Sequence, residues 1–276
     1  MKFISLFAGI GGFDLGLERA GMQCVGQVEY NPFCQRVLKK HWPHVKLIGD
    51  IHDVTADSFG TADVICGGFP CQPFSTAGSR KGKKDSRYLW PEMLRVIKAY
   101  RPAWVIGENV KGLITLALDS VCDDLEKEGY SVRAMCLPAC AIGAVHRRER
   151  LFVLAHAASN GRNESPPPRG NVSPDGSRWE EEQEKDSKHE GCGSFRDVLD
   201  GCSQAIGTWG VEPPEIRVDD GIPNRVDRNK SIGNSVSPQV AEVIGRAIQR
   251  AHVLCAERLP DTAEARLTAY NSASAT

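Results

Sequence analysis

Residues 2–12 read KFISLFAGIGG, a short apolar run that passes directly into a glycine-rich turn. The run predicts a first strand, and the glycines after it permit a tight turn in which the backbone can closely approach a ligand before a helix begins. Glu29 follows about 20 residues later at the end of the next predicted strand, where a carboxylate can accept hydrogen bonds from ribose hydroxyls. A glycine turn that serves packing alone is the alternative for this stretch.

Apolar runs of this kind alternate with helix-like segments through the first half of the chain. The alternation predicts an α/β fold with a mostly parallel sheet flanked by helices. Helices are predicted between the strands, for example over Asn31–His41 and Pro91–Tyr100. The predicted strands lie near Phe3–Leu6, Cys24–Val28, Lys46–Ile48, Asp63–Cys66, Trp104–Ile106, Ser131–Leu137 and Leu151–Ala155.

Chemically distinctive residues stand where these strands end. Gly9, Glu29, Asp50, Cys71 and Glu108 each follow one of the apolar runs. Because the carboxyl ends of parallel strands meet at one edge of an open sheet, and ligands bind at that edge, these residues predict a binding or catalytic site there. Asp50 can accept a hydrogen bond from an adenine amino group, and a role as an N-cap or loop residue is equally open.

Cys71 lies between Pro70 and Gln72 in a segment rich in turn formers, which predicts a loop position for its thiol. A free cysteine with a pKa of about 8.5 is only slightly ionised at neutral pH, so a nucleophilic role requires activation. The neighbouring basic segment Arg80–Arg87 would supply positive potential. For a cysteine considered alone, burial in the core is the competing interpretation.

Glu108 ends the apolar strand that begins near Trp104, so its carboxyl group is predicted to lie against an apolar wall. Desolvation there would raise its pKa and make it a proton donor at neutral pH, and capping of the following helix is the alternative. The segment HRRER, residues 146–150, precedes the last of the predicted strands. Strand alternation puts Arg148 and Arg150 on one side, suited to gripping a base oxygen and a phosphate, whereas a solvated charged face is the alternative.

The composition is that of an ordinary globular protein, with 276 residues, 41% hydrophobic and 25% charged. A net charge of -1 excludes a protein that coats nucleic acid by bulk electrostatics, so any such site must be a local basic patch. The chain shows no signal peptide or spanning segment, and its ten cysteines include no C-x-x-C pair. We therefore predict reduced thiols, no metal site and a cytoplasmic protein without a membrane partner.

The chain divides into four predicted parts. Residues 1–155 form the catalytic and cofactor-binding domain, and residues 156–230, polar and rich in Gly, Ser and Pro, form a small irregular lobe. Apolar spacing returns in residues 231–256, where Ser237-Pro238 begins a helix that returns to the large domain. Residues 257–276 are predicted to be a frayed tail.

Taken together, these stretches resemble the DNA cytosine-5 methyltransferase family over residues 3–155 and 231–250. The motifs ISLFAGIGGFDLGL, VEYNPF, GDI, GGFPCQPFS, ENVKG, HRRER and GNSVSPQVA occur in the family's order. The resemblance implies a Rossmann-like sheet that binds S-adenosylmethionine, with residues 156–230 as a target-recognition region. The implied cofactor residues are Phe7, Gly9, Gly11, Glu29, Asp50, Ile51, Pro70, Leu89, Asn234 and Val236.

The resemblance also implies a reaction on double-stranded DNA in which a cytosine is flipped out of the helix. Cys71 would attack carbon 6 while Glu108 hydrogen-bonds or protonates ring nitrogen 3, and Arg148 and Arg150 would hold the nucleotide. A loop over residues 75–87 would close on the DNA. The implied DNA contacts are Ser75, Arg80, Lys81, Lys83, Lys84 and Arg87. We expect a monomer, and a restriction endonuclease as a partner in function only.

Two departures and three alternatives accompany the resemblance. His146 stands where the family usually has glutamine, and residues 216–225 are a candidate substitute for the arginine-bearing segment that normally precedes the last motif. A tRNA cytosine-5 methyltransferase is the first alternative, although no Cys-Phe-Thr sequence follows the arginine motif. A non-catalytic cofactor-binding or DNA-binding module is the second. A nicotinamide oxidoreductase is the third, and it would leave Cys71, Glu108 and the arginines without a role.

Overall fold

The computed structural model describes residues 1–70, 88–144, 148–157 and 231–258 of the chain. Every predicted strand is confirmed, with ends that differ by a few residues from the apolar runs. The strands are β1 (Lys2–Leu6), β2 (Gln23–Val28), β3 (Lys46–Ile48), β4 (Val64–Gly67), β5 (Trp104–Asn109), β6 (Tyr130–Pro138) and β7 (Glu149–Ala157).

These strands form one sheet in the order β3-β2-β1-β4-β5-β7-β6. All neighbours from β3 to β5 are parallel, whereas β7 runs antiparallel to both β5 and β6. Strands β2 and β3 follow β1 on one side of it in the sheet, whereas β4 and β5 lie on its other side. The connections therefore run in opposite directions from the boundary between β1 and β4. Such a divergence leaves a crevice at the carboxyl ends of the strands, where open sheets bind ligands.

The helices lie on both faces of the sheet, as predicted. Asn31 caps the helix Pro32–His41, because its side chain accepts hydrogen bonds from the backbone N–H groups of Phe33 and Cys34, and Pro238 opens the last helix. This last helix continues to Arg258, past the predicted end at residue 256. The helices are α1 (Gly12–Arg19), α2 (Pro32–His41), α3 (Trp90–Tyr100), α4 (Leu118–Lys127) and α5 (Pro238–Arg258).

Two apolar clusters fill the space between the sheet and its helices. One cluster buries Trp90 and Val121 from α3 and α4, and the other buries Leu17 and Ile244 from α1 and α5. Helices α1 and α5 pack so closely that a β-carbon on Gly16 would lie 2.3 Å from the carbonyl oxygen of Pro238. The close packing of α5 against α1 therefore depends on small residues at this contact.

A buried polar cluster lies beneath the glycine turn. One extra residue in β2, Val25, interrupts its register with β1, and this bulge turns Cys24 and Gln27 toward the same side. There the carboxylate of Asp14 in α1 accepts hydrogen bonds from Ser5 Oγ (2.9 Å) and Gln27 Nε2 (2.7 Å). Burial raises the pKa of Asp14, and the cluster ties the start of α1 to β1 and β2.

The described residues give three further results. No helix among them is long and apolar enough to cross a membrane. Within the same ranges, no group of His, Cys, Asp and Glu could hold a metal ion. The six cysteines whose side chains are described form no disulfide. Apart from its first two residues, the predicted lobe at 156–230 lies outside the described ranges, as does the tail after Arg258.

Candidate active site

The glycine turn after β1 adopts a left-handed backbone at three positions. The φ angles are 53° at Phe7, 58° at Gly9 and 89° at Gly11. A non-glycine residue such as Phe7 adopts this conformation at a cost in free energy, and such positions cluster at functional sites. A β-carbon on Gly9 would meet no atom within 4 Å, so this side of the turn is open to a ligand.

Glu29 lies beside the turn at the end of β2. Its Oε2 accepts a hydrogen bond from the backbone N–H of Gly9, and its Oε1 accepts one from Asn31, both at 2.7 Å. Each carboxylate oxygen has a second lone pair that remains available to a ligand hydroxyl. The next residue, Tyr30, has an aromatic side chain and is 79% exposed. Tyr30 was not among the cofactor residues predicted from the sequence, although its position directly after the acid is a usable signal.

Asp50 follows β3 and has the capping role that the sequence left open. Its Oδ1 accepts hydrogen bonds from the backbone N–H of His52 (3.0 Å) and contacts the ring nitrogen Nδ1 of His52 at 2.6 Å. The backbone N–H and then the ring of His52 lower the pKa of the Asp50 carboxyl, so it stays ionised at neutral pH. A second carboxylate therefore stands at the same edge as Glu29.

The remaining cofactor candidates lie on both faces of the sheet near this edge. Ile51 is buried in the cluster beneath α3 and α4, and Phe7 and Leu89 pack against the same cluster. Val236 is buried in the cluster of α1 and α5, while Asn234 is exposed two residues before it. Pro70 is the last described residue after β4.

Glu108 lies within β5 with only 9% of its side chain exposed. Its Oε1 is 3.1 Å from Nε of Arg150, which is a diagonal neighbour on the antiparallel strand β7. Desolvation raises the pKa of Glu108 to about 7, although the charges of Arg150 and Arg148 oppose the increase. The predicted increase is thus confirmed.

The alternative role of Glu108 as a helix cap is not observed. The turn that follows begins after Val110 and has no side-chain cap. The carboxyl group faces Gly68 in the neighbouring loop, where a β-carbon would lie 3.0 Å from Oε2. Glu108 is therefore an acid at the site edge, adjacent to the segment that leads to Cys71.

Asn109 fixes that segment from the opposite face of the sheet. Its side chain is buried, with 6% of the residue exposed, and its Nδ2 donates a hydrogen bond to the carbonyl oxygen of Phe69 at 2.9 Å. The oxygen of the same amide accepts from the backbone N–H of Val110 at 2.9 Å. One amide thus connects the end of β5 to the backbone two residues before Cys71, a contact that the sequence does not reveal.

Arg148 and Arg150 reach this edge because β7 runs antiparallel to the strands beside it. Both line one cavity together with Phe152 of β7, which confirms that they share a face. Arg150 pairs with Glu108, whereas Nη2 of Arg148 donates to the carbonyl oxygens of Gly233 and Ser235, the former at 2.9 Å. The two arginines thus have different partners.

Cys71 and His146 lie outside the described residues, and so do residues 216–225. The predicted DNA contacts also lie outside them, namely Ser75, Arg80, Lys81, Lys83, Lys84 and Arg87. The structure therefore places Glu108, Arg148 and Arg150 at the same edge of the sheet as the candidate cofactor residues. The segment that leads to Cys71 is described as far as Pro70.

Comparison with known proteins agrees with this geometry. Residues 1–201 match the family model of the C-5 cytosine-specific DNA methylases. The chain is 38% identical over 159 residues to the type II methyltransferase M.HgiCII of Herpetosiphon aurantiacus, covering 55% of this chain and 36% of the relative. It is 36% identical over 159 residues to the type II methyltransferase M.HhaI of Haemophilus parahaemolyticus, covering 56% of this chain and 48% of the relative. The matches thus span between about a third and a half of these relatives.

Solved structures share the fold at lower identity. One is described as a DNA modification methyltransferase encoded within a prophage of E. coli, with a TM-score of 0.61, 20% identity and coverage of 92% of this chain and 99% of that one. Another is the Dnmt2 methyltransferase of S. pombe, with a TM-score of 0.58, 18% identity and coverage of 90% and 98%. The predicted α/β methyltransferase fold is confirmed.

Proposed function

The chain belongs to the C-5 cytosine-specific DNA methylase family, and on that basis we propose that it transfers a methyl group from S-adenosylmethionine to carbon 5 of cytosine in double-stranded DNA. The observation that carries the proposal is Glu108, a buried acid with a pKa near 7, paired with Arg150 at the carboxyl edge of the sheet. A proton donor of this kind is what activation of a cytosine ring requires.

The glycine turn and the acids beside it fit the cofactor. The open side of Gly9 gives the backbone room for close approach, and Glu29 retains acceptors for ribose hydroxyls. Asp50 is ionised and can accept from an adenine amino group, and exposed Tyr30 offers an aromatic face for stacking on the adenine. When bound, S-adenosylmethionine supplies a methyl group activated by its positively charged sulfur.

Glu108 supplies the acid of the reaction. With a pKa near 7 it holds a proton in about half of the molecules at neutral pH, and it donates that proton to ring nitrogen 3 of the flipped cytosine. The guanidinium of Arg150 then stabilises the carboxylate that remains. The pair therefore makes carbon 6 of the ring more electrophilic.

Cys71 supplies the nucleophile. Its thiolate forms a bond to carbon 6 as the bond between carbons 5 and 6 loses its double-bond character, and carbon 5 gains the electron density needed to accept the methyl group. Loss of the carbon-5 proton to water then restores the double bond and expels the thiolate, while ring nitrogen 3 returns its proton to the Glu108 carboxylate. Asn109 supports this step by holding the backbone of Phe69, two residues upstream.

The basic segment at residues 75–87 and the remaining partners complete the proposal. Residues 75–87 would contact the DNA backbone and close over the site, and residues 156–230 would read the target sequence. The protein would act as a cytoplasmic monomer, and a restriction endonuclease would share its target without contacting it.

Methylation of two substrates tests the function. We expect 5-methylcytosine, measured by mass spectrometry, after incubation of the protein and S-adenosylmethionine with mixed-sequence duplex DNA, and none after incubation with tRNA. The reverse pattern would identify a tRNA enzyme, and binding of the cofactor without either product would identify a non-catalytic module. Binding of NAD instead of S-adenosylmethionine would revive the oxidoreductase.

A further inference from the structure

We propose that Arg148 is a positioning residue that holds the chain segment 233–236 in the cofactor site, a role distinct from the handling of cytosine by Arg150. The inference rests on the proposed function, because it concerns the binding of S-adenosylmethionine. It follows from the partners of the two guanidinium groups, which differ although both side chains project from the same face at the start of β7.

The first observation is the pair of carbonyl groups that Arg148 contacts. Its Nη2 donates to the carbonyl oxygens of Gly233 and Ser235, which lie 85 and 87 residues further along the chain. Hydrogen bonds from a charged donor are stronger than neutral ones, and a guanidinium nitrogen carries two hydrogens, one for each carbonyl. Arg148 therefore fixes this segment at two points of its backbone.

The second observation is what the segment touches on its other side. A β-carbon on Gly12, the first residue of α1, would lie 2.3 Å from the carbonyl oxygen of Val236 and 2.6 Å from Oγ of Ser235. The hydroxyl of Ser235 also donates to the carbonyl of Val236 at 3.0 Å. The segment thus rests directly on the first turn of α1, immediately after the glycine turn.

These contacts form a continuous path from the arginine motif to the candidate cofactor residues. Arg148 holds Gly233 and Ser235, and the residues between and after them are Asn234 and Val236, both candidates for cofactor contacts. Arg150 takes no part in this path, since its Nε is directed at Glu108. Loss of Arg148 should therefore weaken cofactor binding even when no DNA is present.

A matched pair of variants, Arg148→Met and Arg150→Met, tests the inference. We expect the Kd for S-adenosylmethionine without DNA, measured by isothermal titration calorimetry, to rise about tenfold in Arg148→Met, as for the loss of one charge-assisted hydrogen bond. Arg150→Met should bind the cofactor within about twofold of wild type, a margin of under 0.5 kcal/mol, while losing turnover.

Hydrogen exchange at residues 233–236 is a second readout that does not depend on catalysis. We expect faster amide exchange across these residues in Arg148→Met, with wild-type exchange in the strands of the sheet. Should Arg148→Met fail to fold, both measurements are made on Arg148→Gln instead, because glutamine is neutral and too short to reach the carbonyls of both Gly233 and Ser235.

Wild-type cofactor affinity and wild-type exchange in a folded Arg148 variant would overturn the inference alone. A wild-type protein that fails to bind S-adenosylmethionine would instead overturn the proposed function. Equal weakening of cofactor binding in the Arg148 and Arg150 variants would also contradict the inference, because the two side chains would then share one role.

Discussion

Replacement of Glu108 by glutamine should change how the stability of the protein depends on pH. Glutamine matches the shape of the protonated acid and removes its titration. In the folded protein the pKa of Glu108 is about 7, against an ordinary value of 4.5. The folded state therefore binds more protons than the unfolded state between these two pH values.

This difference in bound protons sets the direction in which stability changes with pH. The stabilising contribution of protonated Glu108 is fully present below pH 4.5 and is lost as the pH rises through about 7. The difference between the two pKa values corresponds to about 3 kcal/mol. That is a large share of a typical unfolding free energy of about 5–15 kcal/mol. Glu108→Gln should therefore be more stable than wild type at pH 8, with little difference at pH 4.5.

Urea unfolding followed by tryptophan fluorescence at pH 4.5, 6 and 8 measures this effect. The stability of Glu108→Gln minus that of wild type should grow by about 3 kcal/mol across the series. Glu149→Gln, which removes the neighbouring carboxylate paired with Lys111 at 3.6 Å, is the matched control and should show no such growth. A difference that stays constant with pH would refute the assignment of Glu108 as a desolvated acid.

Three further predictions concern the same site. Cys71→Ala should abolish methyl transfer while the Kd for S-adenosylmethionine stays near wild type, and retained turnover would disprove the nucleophile. Asn109→Ala leaves the carbonyl of Phe69 without its buried donor, so it should cost about 1–3 kcal/mol in unfolding free energy. It should also lower kcat more than it raises KM, and an unchanged kcat would mean that the amide is only structural. Gly12→Ala should raise the Kd for the cofactor and lower the melting temperature, because its β-carbon would lie 2.3 Å from the carbonyl of Val236; unchanged values of both would show that the segment is easily displaced.

The strands and the positions of the acids could be predicted from sequence because their signals are local. Apolar runs that end in Gly9, Glu29 and Asp50 mark both the strand and its carboxyl end. The raised pKa of Glu108 was predictable for the same reason, since an acid that ends an apolar strand is desolvated by its neighbours.

The direction of β7 could not be predicted from the sequence, and it determines at which edge of the sheet Arg148 and Arg150 lie. An arginine motif before a parallel strand would lie at the opposite edge from Glu108, whereas the antiparallel direction of β7 brings Arg148 and Arg150 to the same edge. No local pattern encodes strand direction. The pairing of Arg148 with Gly233 and the bulge that buries Gln27 beside Asp14 likewise depend on contacts between distant segments.

Bisulfite sequencing of DNA from cells that express the protein tests directly whether it methylates cytosine in DNA. We expect cytosines protected from conversion at one recurring short sequence, and complete conversion in cells that express Cys71→Ala at the same level. Full conversion with the wild-type protein, under conditions in which it binds S-adenosylmethionine, would contradict a DNA cytosine-5 methyltransferase.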